Sequence, residues 1–249
     1  VTTEELIPFI DWTPFFRTWE LHGKYPAILQ DEVVGVEATK LFADAKEMLK
    51  SIANENWLEH KGIIGIYPAN AIEDDIIIYD PNDETQQISI QCTMRQQSKK
   101  AAGVPNIALS DFIAPLDSGK KDYIGAFVVT SGIGIDIKVK AFEADHDDYN
   151  SILIKALADR LAEAFAEYAH KLVRTDFWGY SNDESLDNDA LIKEKYIGIR
   201  PAPGYPACPD HTEKIGLFNL LDATNATGVE LTESLAMMPT AAVSGWYFG

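Results

Sequence analysis

The sequence predicts an α+β fold, in which a single domain combines a twisted, mainly antiparallel sheet with long flanking helices. Three observations support this prediction: apolar residues recur at helical spacing in two long stretches, short β-branched runs follow one another as a meander, and helices and strands come in groups. Strict alternation of strands and helices would instead have favoured a parallel, Rossmann-type sheet. We therefore expect residues 1–249 to form one domain that is not a Rossmann fold.

The periodicity of apolar residues places the helices. Residues 31–57 and 149–172 carry apolar side chains at the spacing of one helix face, which predicts two long amphipathic helices. A short helix is also expected near residues 13–14, Thr-Pro, because proline fits the first helical position, and Asp11 would then lie at the helix entrance. The second long helix also has a charged side, where solvated pairs one turn apart are the usual interpretation; it carries Lys155, Asp159, Glu163 and Glu167.

Four runs of β-branched and apolar residues predict the sheet. Residues 62–67, 75–79 and 86–91 are separated by Pro, Asn, Asp and Gly, so we expect them to pair as an antiparallel meander. Residues 123–130 are strongly apolar and are placed near the sheet centre. Residues 130–134 then resemble a nucleotide-binding glycine loop, but they lack its third glycine and the acidic residue ending the next strand, so a glycine turn is the better interpretation.

The composition excludes several classes of protein. With 21 basic and 39 acidic side chains the formal net charge is -18, which disfavours nucleic acid as a partner. Cys92 and Cys208 form no C-x-x-C motif, so we expect no disulfide framework and no zinc knuckle, and a cytoplasmic location fits. Apolar runs are far shorter than the ~20 residues of a membrane span, and the acidic N-terminus is unlike a signal peptide. The start at Val1 rather than at a methionine and the stop in an aromatic run at 245–249 predict that both ends were cut from a longer protein, so that the domain is truncated at its C-terminal end.

A proline-rich segment is the strongest candidate for a ligand loop. Residues 200–211 hold four prolines, which fix the backbone, and one glycine, which permits close approach of another group. The guanidinium of Arg200 could hold a carboxylate while Tyr205 stacks on a cationic or aromatic group. The alternative is a stiff surface connection in which Arg200 forms a structural ion pair and Tyr205 packs on the core. Physical reasoning about these residues alone favours neither.

The same loop resembles a known family. Its R-x-x-x-G-Y pattern at residues 200–205 is similar to the signature of the activation domain of cobalamin-dependent methionine synthase. Further motifs resemble that family in the same order along nearly the whole chain, which makes coincidence improbable. They are DWTPFF at 11–16, GKYP at 23–26, YIGAF at 123–127, HDDYN at 146–150, ALADRLAEA at 156–164 and SGWYF at 244–248.

The resemblance implies a site for S-adenosylmethionine. It implies that Arg200, Ala202, Gly204 and Tyr205 contact this cofactor and that Asp11 binds its amino group. The chemistry agrees, because the ligand carries a carboxylate, an ammonium and a sulfonium that suit a guanidinium, a carboxylate and an aromatic face. For Asp11 the alternative is a carboxylate that only caps a helix.

Three further candidates are weaker. We include Glu163 among the candidate site residues, although the usual interpretation of an acidic residue on a charged helix face is that it is solvated. The resemblance directs His211 toward the cobalamin-bearing module, but a lone histidine is more often a hydrogen-bonded surface residue. The His-Asp-Asp run at residues 146–148 suggests helix capping rather than a metal cluster, because adjacent ligands do not form a cage.

The implied function is the rescue of inactive methionine synthase. The resemblance implies that the domain supports reductive methylation of cob(II)alamin to methylcobalamin, with S-adenosylmethionine as methyl donor and a flavodoxin-type protein as electron donor. The cobalamin is carried by a partner domain, since the chain lacks the D-x-H-x-x-G motif that supplies a cobalt ligand. Too few cysteines remain for the zinc site of the whole enzyme, so this methyltransferase module is not a complete enzyme alone.

Two other hypotheses remain open at this point. The resemblance implies a continuation beyond residue 249 into a strand whose tyrosines help to close the ligand site. The chain could therefore be a non-catalytic docking module for flavodoxin or the cobalamin domain, with an incomplete site. It could also be a self-sufficient Rossmann methyltransferase, which would require an alternating parallel sheet. Ligand titration tests the first of these hypotheses, and strand order tests the second.

Overall fold

The computed structural model describes residues 1–249 and contains eight α-helices and seven β-strands. The helices are α1 (Thr3–Leu6), α2 (Trp12–Thr18), α3 (Gly35–Glu55), α4 (Ile135–Ala144), α5 (Asp148–Leu172), α6 (Asn188–Ile192), α7 (Glu213–Leu221) and α8 (Ala223–Thr227). The strands are β1 (Glu59–Ile72), β2 (Asp75–Asp80), β3 (Asp83–Cys92), β4 (Asp122–Ile133), β5 (Glu230–Leu231), β6 (Met237–Met238) and β7 (Ala242–Tyr247). The α+β prediction is confirmed, and no helix is long and apolar enough to cross a membrane.

The main sheet has five strands in the order β3-β2-β1-β4-β7, and every neighbouring pair is antiparallel. The predicted meander is confirmed, because its three runs lie in β1, β2 and β3. The fourth predicted run lies in β4, which is inside the sheet between β1 and β7, although β1 is the central strand. A Rossmann methyltransferase requires a parallel alternating sheet, so that hypothesis is wrong.

Both long helices form where periodicity predicts them, as α3 and α5. Helix α4 was not predicted as a separate element; a turn at His146, whose φ is 57°, divides it from α5. The side chain of Asp147 then accepts a hydrogen bond from the backbone N–H of Asn150 and caps α5. The capping interpretation of residues 146–148 is confirmed, and no group of three potential metal ligands exists anywhere in the structure.

The sheet separates two apolar cores. On one face, α3, α5 and the N-terminal helices cover Phe127 and Val129 of β4. On the other face, α7 and α8 cover its alternate residues, Ala126 and Val128, together with Trp246 of β7. Because both faces are covered, β4 is an almost continuously buried strand, and this explains its unbroken apolar run.

The charged side of α5 is only partly solvated. Lys155 and Asp159 are about half exposed, as predicted. The prediction is wrong two turns further along, where the side chain of Glu167 is only 12% exposed. Polypeptide that follows the helix returns over this end. Arg200 contacts Glu167 of α5, and Glu184 pairs with Arg174, which lies two residues beyond the end of α5. The buried end of this face forms the floor of the candidate site.

Candidate functional site

A cavity of about 170 Å³ lies between α5, the start of α2 and the segment that follows α6. It is rich in charge and contains two guanidinium groups and four carboxylates. Its lining residues are Phe9, Asp11, Arg160, Glu163, Ala164, Glu167, Leu191, Ile192, Glu194, Tyr196 and Arg200. The structure thus brings together three predicted site residues from separate parts of the chain, namely Asp11, Glu163 and Arg200.

Arg200 is anchored from one side. Its Nη1 donates to the backbone carbonyl of Ala166 at 2.6 Å, and its Nη2 donates to Oε2 of Glu167 at 3.2 Å. Only 18% of the side chain is exposed. A guanidinium has further N–H groups beyond these two bonds, and they remain for a ligand in the cavity. Arg200 therefore forms the structural ion pair and lines the candidate site at the same time.

The two carboxylate oxygens of Asp11 have different roles. It is the N-cap of α2, where Oδ1 accepts a hydrogen bond from the backbone N–H of Thr13 at 3.0 Å. Pro14 is the third residue of this helix rather than the first, so the predicted start lies slightly too late. Oδ2 makes no hydrogen bond within the protein. The capping interpretation is confirmed, and Oδ2 is still available to a donor in the cavity.

Glu163 provides a second carboxylate near Asp11. Burial raises the pKa of Glu163 above its usual value, while the charges of Arg160 and Arg200 oppose that shift. A cationic ligand group beside it would stabilise its ionised form in the same way. The arrangement therefore places carboxylates and a guanidinium around one small space, which suits a zwitterionic amino-acid group.

The other predicted contacts do not line this cavity. The N–H of Gly204 donates to the carbonyl of Cys208 at 2.7 Å, and the φ of Gly204 is +100°, a conformation that favours glycine. A side chain at Gly204 would also clash with the ring of His211, which is itself exposed. Tyr205 is 63% exposed, so the alternative that packs it on the core is wrong. Ala202, Gly204, Tyr205 and His211 thus lie on the loop beyond Arg200.

A second cavity connects Arg200 with this loop. It measures about 350 Å³ and lies against residues 194–201 and Ala207. Arg200, Tyr196 and Glu194 line both cavities. Tyr196 and Glu194 were not predicted as site residues, because neither belongs to a recognisable motif. Glu167 was predicted only as a solvated residue, although it lies one turn after Glu163 on the same helix face.

Behind the cavity lies a buried polar cluster, which consists of Glu167, His170, Arg174, Glu184 and Tyr247. Arg174, whose side chain is fully buried, donates from Nε and Nη2 to the two carboxylate oxygens of Glu184 at 2.7 and 2.8 Å. His170 is also fully buried and stacks on the ring of Tyr247 with centroids 5.0 Å apart. Burial, followed by the charges of Arg200 and Arg174, lowers the pKa of His170 to about 2.

The buried His170 predicts a pH-dependent stability. Its pKa is lower in the folded protein than the ordinary value of 6.5, so the unfolded chain takes up a proton first as the pH falls. This histidine should lower the free energy of unfolding by about 1.4 kcal/mol per pH unit below about pH 6.5. In chemical denaturation between pH 7 and pH 5, the free energy of unfolding should depend less steeply on pH in His170→Phe than in the unmodified protein.

A comparison between variants isolates this contribution from other groups. Burial raises the pKa of Glu213 to about 7, and that shift changes stability in the opposite direction over the same pH range. The exposed His22 provides the control, since His22→Phe should leave the pH dependence unchanged. Equal slopes for His170→Phe and the unmodified protein would contradict the prediction.

Comparisons with known proteins identify the family. The family model described as "Vitamin B12 dependent methionine synthase, activation domain" matches residues 2–249. Among solved structures, the crystal structure of the MetH reactivation domain bound to AdoHcy matches with a TM-score of 0.97 and 57% sequence identity. That match covers 100% of this chain and 76% of the other. The resemblance stated from the motifs is confirmed: the chain belongs to the family of activation domains of vitamin B12-dependent methionine synthases.

Proposed function

We propose that this domain binds S-adenosylmethionine at the cavity lined by Asp11, Glu163 and Arg200, and so supports the reductive methylation of cob(II)alamin to methylcobalamin. The observation that carries the proposal is the meeting of two carboxylates and one partly free guanidinium around a space of about 170 Å³. A relative with 57% identity was solved with AdoHcy, which is S-adenosylmethionine without its transferable methyl group. This supports the same ligand class for this chain.

The charges of the cavity fit the amino-acid end of this ligand. The free N–H groups of Arg200 suit an α-carboxylate, with which arginine forms strong charge-assisted bonds. Oδ2 of Asp11 and the carboxylate of Glu163 suit the α-ammonium group. The cavity is too small for the whole ligand, since sites for drug-sized molecules measure roughly 300–1,000 Å³. The adjoining cavity of about 350 Å³ beside residues 198–201 and Ala207 has room for the nucleoside.

The exposed loop residues extend the same proposal. Tyr205 presents its ring at the surface, where it can contact a sulfonium group through its π face. Gly204 and Ala202 allow close approach of a ligand because neither has a large side chain. His211 packs on Gly204 and is proposed to face the cobalamin-bearing domain.

The domain works as one module of a methyltransferase. When bound, S-adenosylmethionine supplies an activated methyl group, and a sulfonium methyl needs no general base in the protein. The cavity residues bind and orient the ligand, which is the usual contribution of a protein to cofactor chemistry.

We propose that the whole protein is a 5-methyltetrahydrofolate-homocysteine methyltransferase. We also propose that a flavodoxin-type protein donates the electron, and that residues 1–249 act together with a cobalamin-binding domain. Free Cys92 and Cys208 suit a reducing cytoplasm.

Ligand titration against thermal unfolding tests the proposed function. A ligand that binds only the folded state at 100 times its Kd should raise the free energy of unfolding by about 2.7 kcal/mol. S-adenosylmethionine and S-adenosylhomocysteine should therefore raise the melting temperature in a concentration-dependent manner, whereas adenosine alone should do so much less. A non-catalytic docking module with an incomplete site predicts no shift with any of the three compounds.

Two substitutions at Asp11 should separate its capping role from its binding role. Asp11→Ala removes the N-cap of α2 and should cost about 1 kcal/mol of stability, whereas asparagine caps equally well and should restore it. Asparagine does not carry the negative charge, so both variants should bind S-adenosylmethionine more weakly than the unmodified protein. Denaturation and calorimetry measure the two effects independently. Full affinity in Asp11→Asn would show that Asp11 is only a cap.

A further inference from the structure

The structure points to Glu167 as a positioning residue that holds the guanidinium of Arg200 for a ligand carboxylate, and thereby makes the site selective for carboxylate-bearing ligands. Glu167 binds Arg200 directly, and its side chain is only 12% exposed. This inference rests on the proposed function, because it assumes that Arg200 recognises the carboxylate of S-adenosylmethionine.

Glu167 lies between two guanidinium groups. Its Oε2 accepts from Nη2 of Arg200 at 3.2 Å, and its Oε1 lies 3.8 Å from Nη1 of Arg174. Arg174 cannot move away, because it is fully buried and forms a two-point ion pair with Glu184. The buried guanidinium of Arg174 therefore attracts Glu167 from deeper in the protein without forming a hydrogen bond to it, and Glu167 in turn holds Arg200 through a hydrogen bond.

The same contacts determine which part of Arg200 is free. The carbonyl of Ala166 and the carboxylate of Glu167 both belong to α5 and engage Nη1 and Nη2. A long arginine side chain without these partners would lose its single orientation, and a ligand would have to order it on binding. Two-point recognition of a carboxylate depends on that orientation, because the planar fork must face the two oxygens together.

Charge balance also favours a carboxylate at position 167. Arg174 and Arg200 both approach Glu167, and only one of them has a second carboxylate partner, Glu184. His170, one turn along α5, adds no charge, since its pKa is lowered to about 2. The carboxylate of Glu167 therefore separates two like charges and leaves the cavity side of Arg200 for an incoming anion.

A pair of ligands distinguishes positioning from direct contact. S-adenosylmethionine has both the α-carboxylate and the α-ammonium group, whereas decarboxylated S-adenosylmethionine keeps the amine and the sulfonium and lacks the carboxylate. A residue that acts through Arg200 should affect the first ligand alone. A residue that binds the amine directly, or one whose loss unfolds the site, should affect both.

Calorimetric titration of five variants, one of them a control, with both ligands tests the inference. Glu167→Ala should weaken S-adenosylmethionine about 10-fold and change the affinity for the decarboxylated ligand less than about 2-fold. Glu167→Gln should recover part of the loss, because its side-chain oxygen can accept the same hydrogen bond from Arg200 but carries no charge to compensate the two guanidinium groups. In an Arg200→Ala background, Glu167→Ala should cause almost no further loss of affinity, as expected for two residues that act through one contact. Glu143→Ala, which removes an exposed carboxylate of α4, provides the control.

The possible outcomes separate this inference from the proposed function. If Arg200→Ala leaves the affinity for S-adenosylmethionine unchanged, the proposed binding site is wrong, and this inference is wrong with it. If Arg200→Ala weakens binding and Glu167→Ala does not, only the positioning role is overturned. Equal losses for both ligands in Glu167→Ala would also overturn it, as would a Glu167→Gln variant that binds no better than Glu167→Ala.

Discussion

Replacing Arg200 with alanine should weaken S-adenosylmethionine binding by one to two orders of magnitude. A hydrogen bond to a charged group contributes about 1.5–3 kcal/mol, and each 1.4 kcal/mol corresponds to roughly a factor of 10 in Kd. Arg200 is a lining residue of both cavities and has N–H groups beyond its two bonds to α5. Isothermal titration calorimetry measures this loss directly.

Two controls sharpen this prediction. Arg200→Lys should recover only part of the affinity, because an ammonium group keeps the charge and lacks the planar fork. Arg17→Ala removes an exposed guanidinium from α2, the helix that Asp11 caps, and should leave the Kd unchanged. An unaltered Kd in Arg200→Ala would contradict the assignment of Arg200 to the ligand carboxylate.

Replacing Glu184 with alanine should destabilise the domain by about 3–5 kcal/mol, the usual cost of leaving one partner of a buried ion pair without the other. The side chain of Glu184 is 5% exposed, and both its oxygens accept hydrogen bonds from Arg174, which is fully buried. Without Glu184, the guanidinium would keep only the longer 3.8 Å approach to Glu167. Urea denaturation monitored by circular dichroism measures the change.

A surface pair provides the matched control for Glu184. Glu47 and Lys50 form an ion pair at 3.0 Å on α3, and their side chains are 74% and 68% exposed. Exposed pairs of this kind contribute only about 0.2–1 kcal/mol, so Glu47→Ala should be nearly neutral. A similar loss of stability in the two variants would show that the burial of the Arg174–Glu184 pair has no special effect.

The sequence by itself determined the elements and much of the order of the fold. Long amphipathic helices, an antiparallel meander and a cap at Asp147 follow from spacing and residue type, which depend on neighbours within one or two turns. Helix α4 was not predicted as a separate element, because the turn that divides it from α5 depends on a single left-handed residue, His146, and contains no glycine or proline.

The candidate site was only partly visible from the sequence. The motifs named Asp11, Arg200 and Glu163, and the structure brings these residues to one cavity. Ala202, Gly204, Tyr205 and His211 were named by the same resemblance, and they lie outside that cavity on an exposed loop. Their contacts with the ligand stay predictions, because no local pattern states how a loop is oriented toward a cavity formed elsewhere.

Tertiary structure alone decided which charges are buried. Glu163 and Glu167 have the same spacing as Lys155 and Asp159, and the helical pattern gave all four residues one solvated face. The chain returns over α5 many residues later, so that Arg200 reaches Glu167 across 33 positions and Arg174 reaches Glu184 across 10. Periodicity reports the face on which a residue lies, whereas its solvation depends on which distant segment packs there. That packing converts a charged helix surface into a ligand site with a buried polar support.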